Sequence, residues 1–454
     1  LLVVLLAPAL RPLPASADAP TILGTEVRHT FPSSITFRLE AGGGVQRAVL
    51  RYVVEGRSCA PVVTEAAPRV RGGSPATAQW TLDVRSAGGL PPGTRLRYWW
   101  EVEDANGQRA TSPPQEFEFT DTRHPWRTVS AEEHGLGRVE LHWYQGDDAF
   151  ARRLLDAAEE GLRRLRDSTG VTPDAPVRVY VYASTEDLHS ALVFPQEWTG
   201  GVAYTRFNTV VLGVAPRALE WGQRAVVHEL SHLVVGQLTF GCLSSLPAWL
   251  NEGLATYNEG QAAAERNRAL VRRAAEEGTL LPLRTLGGAF PTRAAQAELA
   301  YAQSHDVVAF LLERYGQERA LALLRALGSG VSPAQALRQV YGLDVDGLDA
   351  AWRRARGFPV PDGAPSPTPP PVPTFPPLTL PTPGATPTPT PTAAPSPTAT
   401  PTPTATPTPG AAGTGGECTL VASPSAGGAP RAGGAAPLAL LGLAVAALRR
   451  RRQG

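Results

Sequence analysis

His228-Glu229-Leu230-Ser231-His232 and, twenty residues after its second histidine, Glu252 in Pro247-Ala248-Trp249-Leu250-Asn251-Glu252-Gly253-Leu254-Ala255-Thr256-Tyr257 decide how the rest of this chain is read. A four-residue spacing puts two side chains on one face of an α-helix, one turn apart. The flanks support that helix: Val226, Val227, Leu230, Leu233 and Val234 make a wide apolar stripe, and Gly241 supplies an end signal. Two neutral imidazoles and one carboxylate form a donor set for Zn²⁺ that leaves a fourth position open, as catalytic sites do. The ligand candidates are therefore His228, His232 and Glu252. Glu229 follows His228 directly, so its carboxylate is aimed beside the metal position rather than onto it, which suits a general base.

The two motifs resemble those of the gluzincin metallopeptidases, and Trp249-Leu250-Asn251-Glu252-Gly253-Leu254-Ala255-Thr256-Tyr257 is similar to the WLNEGxAxY stretch of the zinc aminopeptidase lineage. The segment from 128 to 357, about half the chain, resembles the peptidase MA-like group of secreted bacterial proteins. The resemblance implies zinc ligation by His228, His232 and Glu252, acid/base work by Glu229, and hydrolysis of peptide bonds by zinc-activated water. Two departures from the family pattern stand out. Aminopeptidases of that lineage hold the substrate's free amino end with a Gly-x-Met-Glu-Asn strand; the matching stretch here, residues 200–212, has no acidic residue, and the chain has no Met. An endopeptidase is therefore expected over an aminopeptidase. Thermolysin-like enzymes also place an Asp one turn after the ligand glutamate, where Thr256 stands here, so a histidine ligand needs another outer partner, with Asn251 as the candidate. Family members stabilise the developing oxyanion with a downstream Tyr or His, for which Tyr301 is the first candidate and His305 the second.

Residues 200–212 alternate and are rich in Val, Tyr, Phe and Thr, so they read as a strand or as a tight hairpin through Arg206-Phe207-Asn208. In zincins an edge strand lies above the metal helix and pairs with extended substrate backbone. Before it, residues 139–144 and 177–182 read as strands and 149–167 as an amphipathic helix; after it, helices are expected over 261–277, 301–315, 317–328, 332–341 and 346–356. A small sheet packed on the metal helix, followed by an all-helical second half, is the α+β organisation of a gluzincin.

Residues 18–122 carry turn signals every ten or so positions and strand-like runs at 34–39, 45–54, 78–84, 97–102 and 115–119, with Asn106-Gly107 turning the chain into a further strand. Six or seven short antiparallel strands read as an all-β sandwich similar to immunoglobulin or fibronectin type III modules. The stretch carries no catalytic cluster, and Tyr98-Trp99-Trp100 reads as core.

The ends have different chemistry. Residues 1–17 combine an apolar run with Ala15-Ser16-Ala17, the mark of a secretory signal peptide. Residues 361–434 are Pro/Thr-rich and cannot bury a core; they read as a disordered stalk on the order of 150 Å long. Residues 435–454 hold an apolar segment followed by Arg449-Arg450-Arg451-Arg452. Its fourteen apolar-segment residues reach about 21 Å as a helix, against roughly 30 Å of hydrocarbon, so it reads either as a membrane anchor or as a sorting signal that is removed. The net charge of +1 points to neither a nucleic-acid partner nor a strongly acidic substrate. Of three cysteines, Cys59 and Cys242 would have to bridge the sandwich and the second domain, a pairing the sequence does not lead one to expect; Cys418 falls in the tail. The expectation is a protein secreted to the bacterial cell surface that acts on peptides or proteins. The alternatives are a surface binding protein retaining a peptidase scaffold, and a zinc amidase acting on cell-wall peptides.

Overall fold

The computed structural model describes residues 19–86, 88–193, 199–291 and 293–361. The expected signal peptide, the Pro/Thr-rich stretch beyond residue 361, Cys418 and the C-terminal apolar segment with its arginines lie outside the described residues. Among the described residues no helix is long and apolar enough to cross a membrane.

The first half is two facing antiparallel sheets. Strands β1 (Thr21–Thr30), β2 (Ser34–Gly42) and β5 (Ala76–Asp83) form one, in the order β1-β2-β5. Strands β3 (Val45–Val54), β4 (Thr64–Ala66), β6 (Thr94–Asp104) and β7 (Arg109–Thr111) form the other, in the order β4-β3-β6-β7, and β8 (Gln115–Phe119) pairs with the other end of β6. Alternation builds the layer between them: Ile35, Phe37 and Leu39 face Leu50, Leu96, Tyr98 and Trp100 across the core. Tyr98 and Trp100 are buried in this core, whereas Trp99, on the other face of β6, is only half-buried.

A five-stranded mixed sheet follows, in the order β12-β13-β11-β10-β9: β9 (Arg127–Glu133), β10 (Gly137–Trp143), β11 (Val177–Tyr182), β12 (Gly201–Tyr204) and β13 (Thr209–Gly213). Strands β10, β11 and β13 run parallel, while β9 and β12 are antiparallel edges. Helix α1 (Asp148–Thr169), capped by Asp147 and ended at left-handed Gly170, makes the crossover from β10 to β11, and α2 (Thr185–Ala191) follows β11. Then come α3 (Leu219–Thr239), α4 (Ala248–Asn258), α5 (Gln261–Glu276), α6 (Ala294–Gly328), α7 (Pro333–Tyr341) and α8 (Val345–Arg356). Helix α6 is broken at Gly316, whose φ of 79° and ψ of 173° are not helical, where the sequence reading divided two helices. The architecture is α+β, a β-sandwich joined to a sheet with a helical second half.

The two halves share a core. On β11, Val179 and Val181 pack with α1 and α3, whereas Tyr180 and Tyr182 on the opposite face pack with the sandwich, as do Val202, Phe207 and Val211 of the β12–β13 hairpin. Asp121, fully buried at the joint, receives Arg123 and the Tyr182 hydroxyl (3.1 Å). Cys59 is disulfide-bonded to Cys242, with Cα atoms 5.6 Å apart, contrary to the expectation from sequence. The cysteines are 183 residues apart, and only the docking of the sandwich against the sheet brings them together.

Candidate metal centre

Helix α3 carries His228, Glu229 and His232, and α4 returns antiparallel to offer Glu252. The two helices are tied by the Asn258 amide, which donates to Ser231 Oγ at 3.3 Å, while Arg164 of α1 donates to the Asn258 carbonyl at 2.9 Å. Gly253 lets α4 lie tightly on α6: a Cβ there would stand 2.5 Å from the Ser304 carbonyl oxygen. The residue beside the glutamate ligand is thus fixed by the packing of two helices.

Nε2 of His228 and Nε2 of His232 are 3.1 Å apart, and Glu252 Oε2 lies 3.4 and 3.3 Å from them. His228, His232 and Glu252 therefore offer three ligand atoms within 4.8 Å of one another, and they are the group of this kind found among the described residues. Glu252 is 5 % exposed and His232 6 %. Glu252 Oε2 is buried and has no hydrogen-bond partner, although it faces two imidazoles. Glu229 and Glu259 stand beside this group, so three carboxylates surround two imidazoles in a largely buried place. Such an excess of negative charge is costly without a cation, and the donor set suits Zn²⁺. The residues present fit the metal.

The outer partner of His228 is one that the sequence reading missed. Nδ1–H of His228 donates to Glu259 Oε1 at 3.0 Å, leaving Nε2 to face the shared point. Glu259 sits at the C-terminal end of α4, two turns beyond Glu252. The signal was an acid on the ligand face of the ligand helix. Thr256, where an Asp was sought, instead donates its hydroxyl to the Glu252 carbonyl at 2.7 Å. Asn251 is buried on α4 next to the ligand, while Glu259 takes Nδ1 of His228.

Burial works against the charged form of His228, but the facing carboxylate of Glu252 and the hydrogen-bonded one of Glu259 outweigh this and hold its pKa well above the ordinary value. Burial would also raise Glu252; the two imidazoles win and hold it far below the usual carboxylate range. Burial, reinforced by Glu252 and opposed by the two histidines, pushes Glu229 up. Above Glu229 runs β12: a Cβ on Gly201 would stand 2.9 Å from Glu229 Oε1 and 2.7 Å from Leu212 Cδ2. Only a glycine lets the strand pass this close to the carboxylate. Strand β12 pairs with β13 on one side and is the edge of the sheet. The hairpin reading holds, with the chain turning through Thr205–Phe207 and left-handed Asn208.

Tyr301, near the start of α6, has its ring centroid 6.3 Å from that of His228 and 5.0 Å from that of Phe290. Burial and the charges of Glu252, Glu229 and Glu259 push its pKa well up, so the phenol keeps its proton. His305 is placed differently. It is fully buried, both ring nitrogens lack hydrogen-bond partners, and its nearest aromatic is Tyr257 at 5.8 Å. The structure thus brings His228, Glu229, His232, Glu252 and Tyr301 to one place and seats His305 in the packing between α4 and α6.

Residues 157–356 match the Peptidase MA superfamily. No curated protein matches the chain. Among solved structures, an M1 zinc metallopeptidase from Deinococcus radiodurans is similar at 16 % identity, covering 78 % of this chain and 97 % of that one, with a TM-score of 0.33. A mutant of the same enzyme bound to a Tyr-Ser-Ala substrate is similar at 15 % identity, covering 77 % and 97 %, with a TM-score of 0.33. The Br derivative of BhCBM56 is similar at 13 % identity, covering 21 % and 89 %, with a TM-score of 0.17.

Proposed function

We propose that the chain is a secreted, surface-tethered zinc-dependent endopeptidase: residues 157–356 match the Peptidase MA superfamily, and His228, His232 and Glu252 converge as a zinc donor set. The observation that carries this reading is the place of Glu229, beside the converging ligand atoms and directly under the edge strand β12. His228, His232 and Glu252 would hold the zinc, which when bound polarises a carbonyl and acidifies water. Glu229 takes the proton of the attacking water and returns it to the leaving nitrogen. Tyr301, kept protonated, donates its O–H to the developing oxyanion. The open edge of β12 pairs with extended substrate backbone.

The endopeptidase assignment rests on Gly201-Val202-Ala203-Tyr204-Thr205, which offers no carboxylate to a free ammonium group. Secretion is supported by the leader ending in Ala15-Ser16-Ala17 and by the Cys59–Cys242 bridge, since disulfides persist in oxidising compartments. Tethering is supported by the Pro/Thr-rich spacer and the apolar segment that ends in arginines.

The test is a cleavage profile of the zinc-loaded protein on a peptide library with free and acetylated amino ends. Internal cleavage of both sets is expected, with turnover falling about 10²- to 10⁴-fold in Glu229→Gln while zinc content is kept. Stepwise removal of single residues from free amino ends only would contradict the endopeptidase reading. Full zinc with no cleavage would favour a binding protein on a peptidase scaffold, and cleavage confined to cell-wall peptides would favour an amidase.

A further inference from the structure

Strand β12 is four residues long and, among the described residues, joins the sheet only through β13. An edge this short is weakly held by its own hydrogen bonds. Yet it passes within contact of Glu229, where a displacement of an ångström matters to an aligned substrate. Its support comes from the sandwich. Ala203, Val210 and Leu212 of the hairpin pack with the helices, whereas Val202, Phe207 and Val211 pack into the sandwich core.

The tip of the hairpin is gripped by one sandwich segment, residues 56–59. The Arg57 backbone N–H donates to the Arg206 carbonyl at 2.8 Å. A Cβ on Gly56 would stand 2.8 Å from that same oxygen and 3.2 Å from Phe207 Cδ1. The Arg57 guanidinium pairs with Asp174, whose backbone N–H donates to Gln237 of α3 at 3.3 Å. Gln237 in turn donates to the Asn208 side chain at the turn, at 2.8 Å. Two residues after Arg57, Cys59 is bonded to Cys242, just past the end of the metal helix at Thr239. One short segment is therefore fastened both to the hairpin tip and to the end of the helix that carries His228, Glu229 and His232.

We propose that the sandwich segment Gly56–Cys59, strapped by Cys59–Cys242, is a positioning element that sets the depth of the β12–β13 hairpin against α3 and so holds the substrate-binding edge in place. The substrate clause rests on the function proposed above; the positioning clause does not. The two are separated by reading hydrogen–deuterium exchange of residues 201–213 alongside peptide kinetics, in the full chain. Two variants are compared with the parent: Cys59→Ser with Cys242→Ser, and Gly56→Ala, which keeps both cysteines, intrudes on Arg206 and Phe207 at the hairpin tip and strains the segment's own backbone at a φ of 153°. Exchange across 201–213 is expected to rise about tenfold in each, with α1 unchanged. KM for a peptide should rise about fivefold, with kcat and zinc content within about twofold of the parent. Unchanged exchange in 201–213, or a uniform rise over the whole chain, overturns the proposal, as does a fall in kcat at constant KM. If the cysteine variant does not fold, Gly56→Ala decides. If the parent cleaves nothing, the proposed function fails, and the exchange data still decide whether the segment positions the hairpin.

Discussion

With its Nδ1–H donated to Glu259 over 3.0 Å, His228 is oriented so that Nε2 points toward His232 and Glu252. Losing that acceptor frees the ring to turn and to change tautomer. Glu259→Gln is expected to weaken zinc binding about 10- to 100-fold, measured by competition with a chromophoric chelator; unchanged affinity would mean the ring is held by packing alone. A second residue-scale consequence concerns pH. Burial, reinforced by Arg268 and Arg356 and opposed by Asp306 and Glu259, pushes fully buried His305 down to about 4. An unfolded chain protonates this histidine near its ordinary pKa of about 6.5, while the folded one resists until about 4. The unfolded state thus binds more protons between those values, and stability contributed by the neutral ring is full above about 6.5 and lost as pH falls toward 4. Urea unfolding at pH 7 and pH 5 should show a loss with a slope of up to about 1.4 kcal/mol per pH unit from this group, and His305→Gln should flatten it. Burial also holds His142 at about 4, so some slope remains in that variant. An unaltered slope in His305→Gln would show that the ring does not titrate differently on folding.

Between elements, the contact of α4 with α6 at Gly253 decides where the neighbouring Glu252 can stand. Gly253→Ala would press a methyl to within 2.5 Å of the Ser304 carbonyl and part the helices. We expect a stability loss of about 1–3 kcal/mol together with weaker zinc binding, read by thermal melts with and without metal; full zinc affinity in a destabilised variant would show that Glu252 is placed independently of α6. The legibility of the elements follows the same physics. The metal helix and the ligand helix were readable because their chemistry is local: histidines four positions apart, and a glutamate on its own apolar helix. The hairpin was readable from alternation and an Asn at the turn. Strands β1, β4 and β9 were missed. Residues of β9 are mostly exposed on an edge, β4 is three residues long, and β1 slips register between Ile22 and Gly24, which breaks its alternation. Glu259 was missed because its partner is reached only once α3 and α4 are folded together.

At the scale of the whole molecule, the sheet is buried on both faces, by helices on one side and by the sandwich on the other, so the sandwich is part of the scaffold and not a separate module. The disulfide could be named from the sequence but not expected for that reason, since it closes only when the two halves dock. A shared core predicts one cooperative thermal transition for both halves, read by calorimetry; two separated peaks would contradict it. Because the metal binds the folded state, removing it with a chelator should lower the melting temperature, corresponding to a loss of about 2.7 kcal/mol relative to zinc at a hundred times its Kd. The most direct measurement is anomalous scattering from a crystal on the two sides of the zinc absorption edge. The account predicts one peak, lying about 2.0–2.2 Å from Nε2 of His228, Nε2 of His232 and a carboxylate oxygen of Glu252. A peak elsewhere, or a zinc-loaded crystal in which the Glu252 carboxylate stands outside bonding reach of the metal, would contradict it.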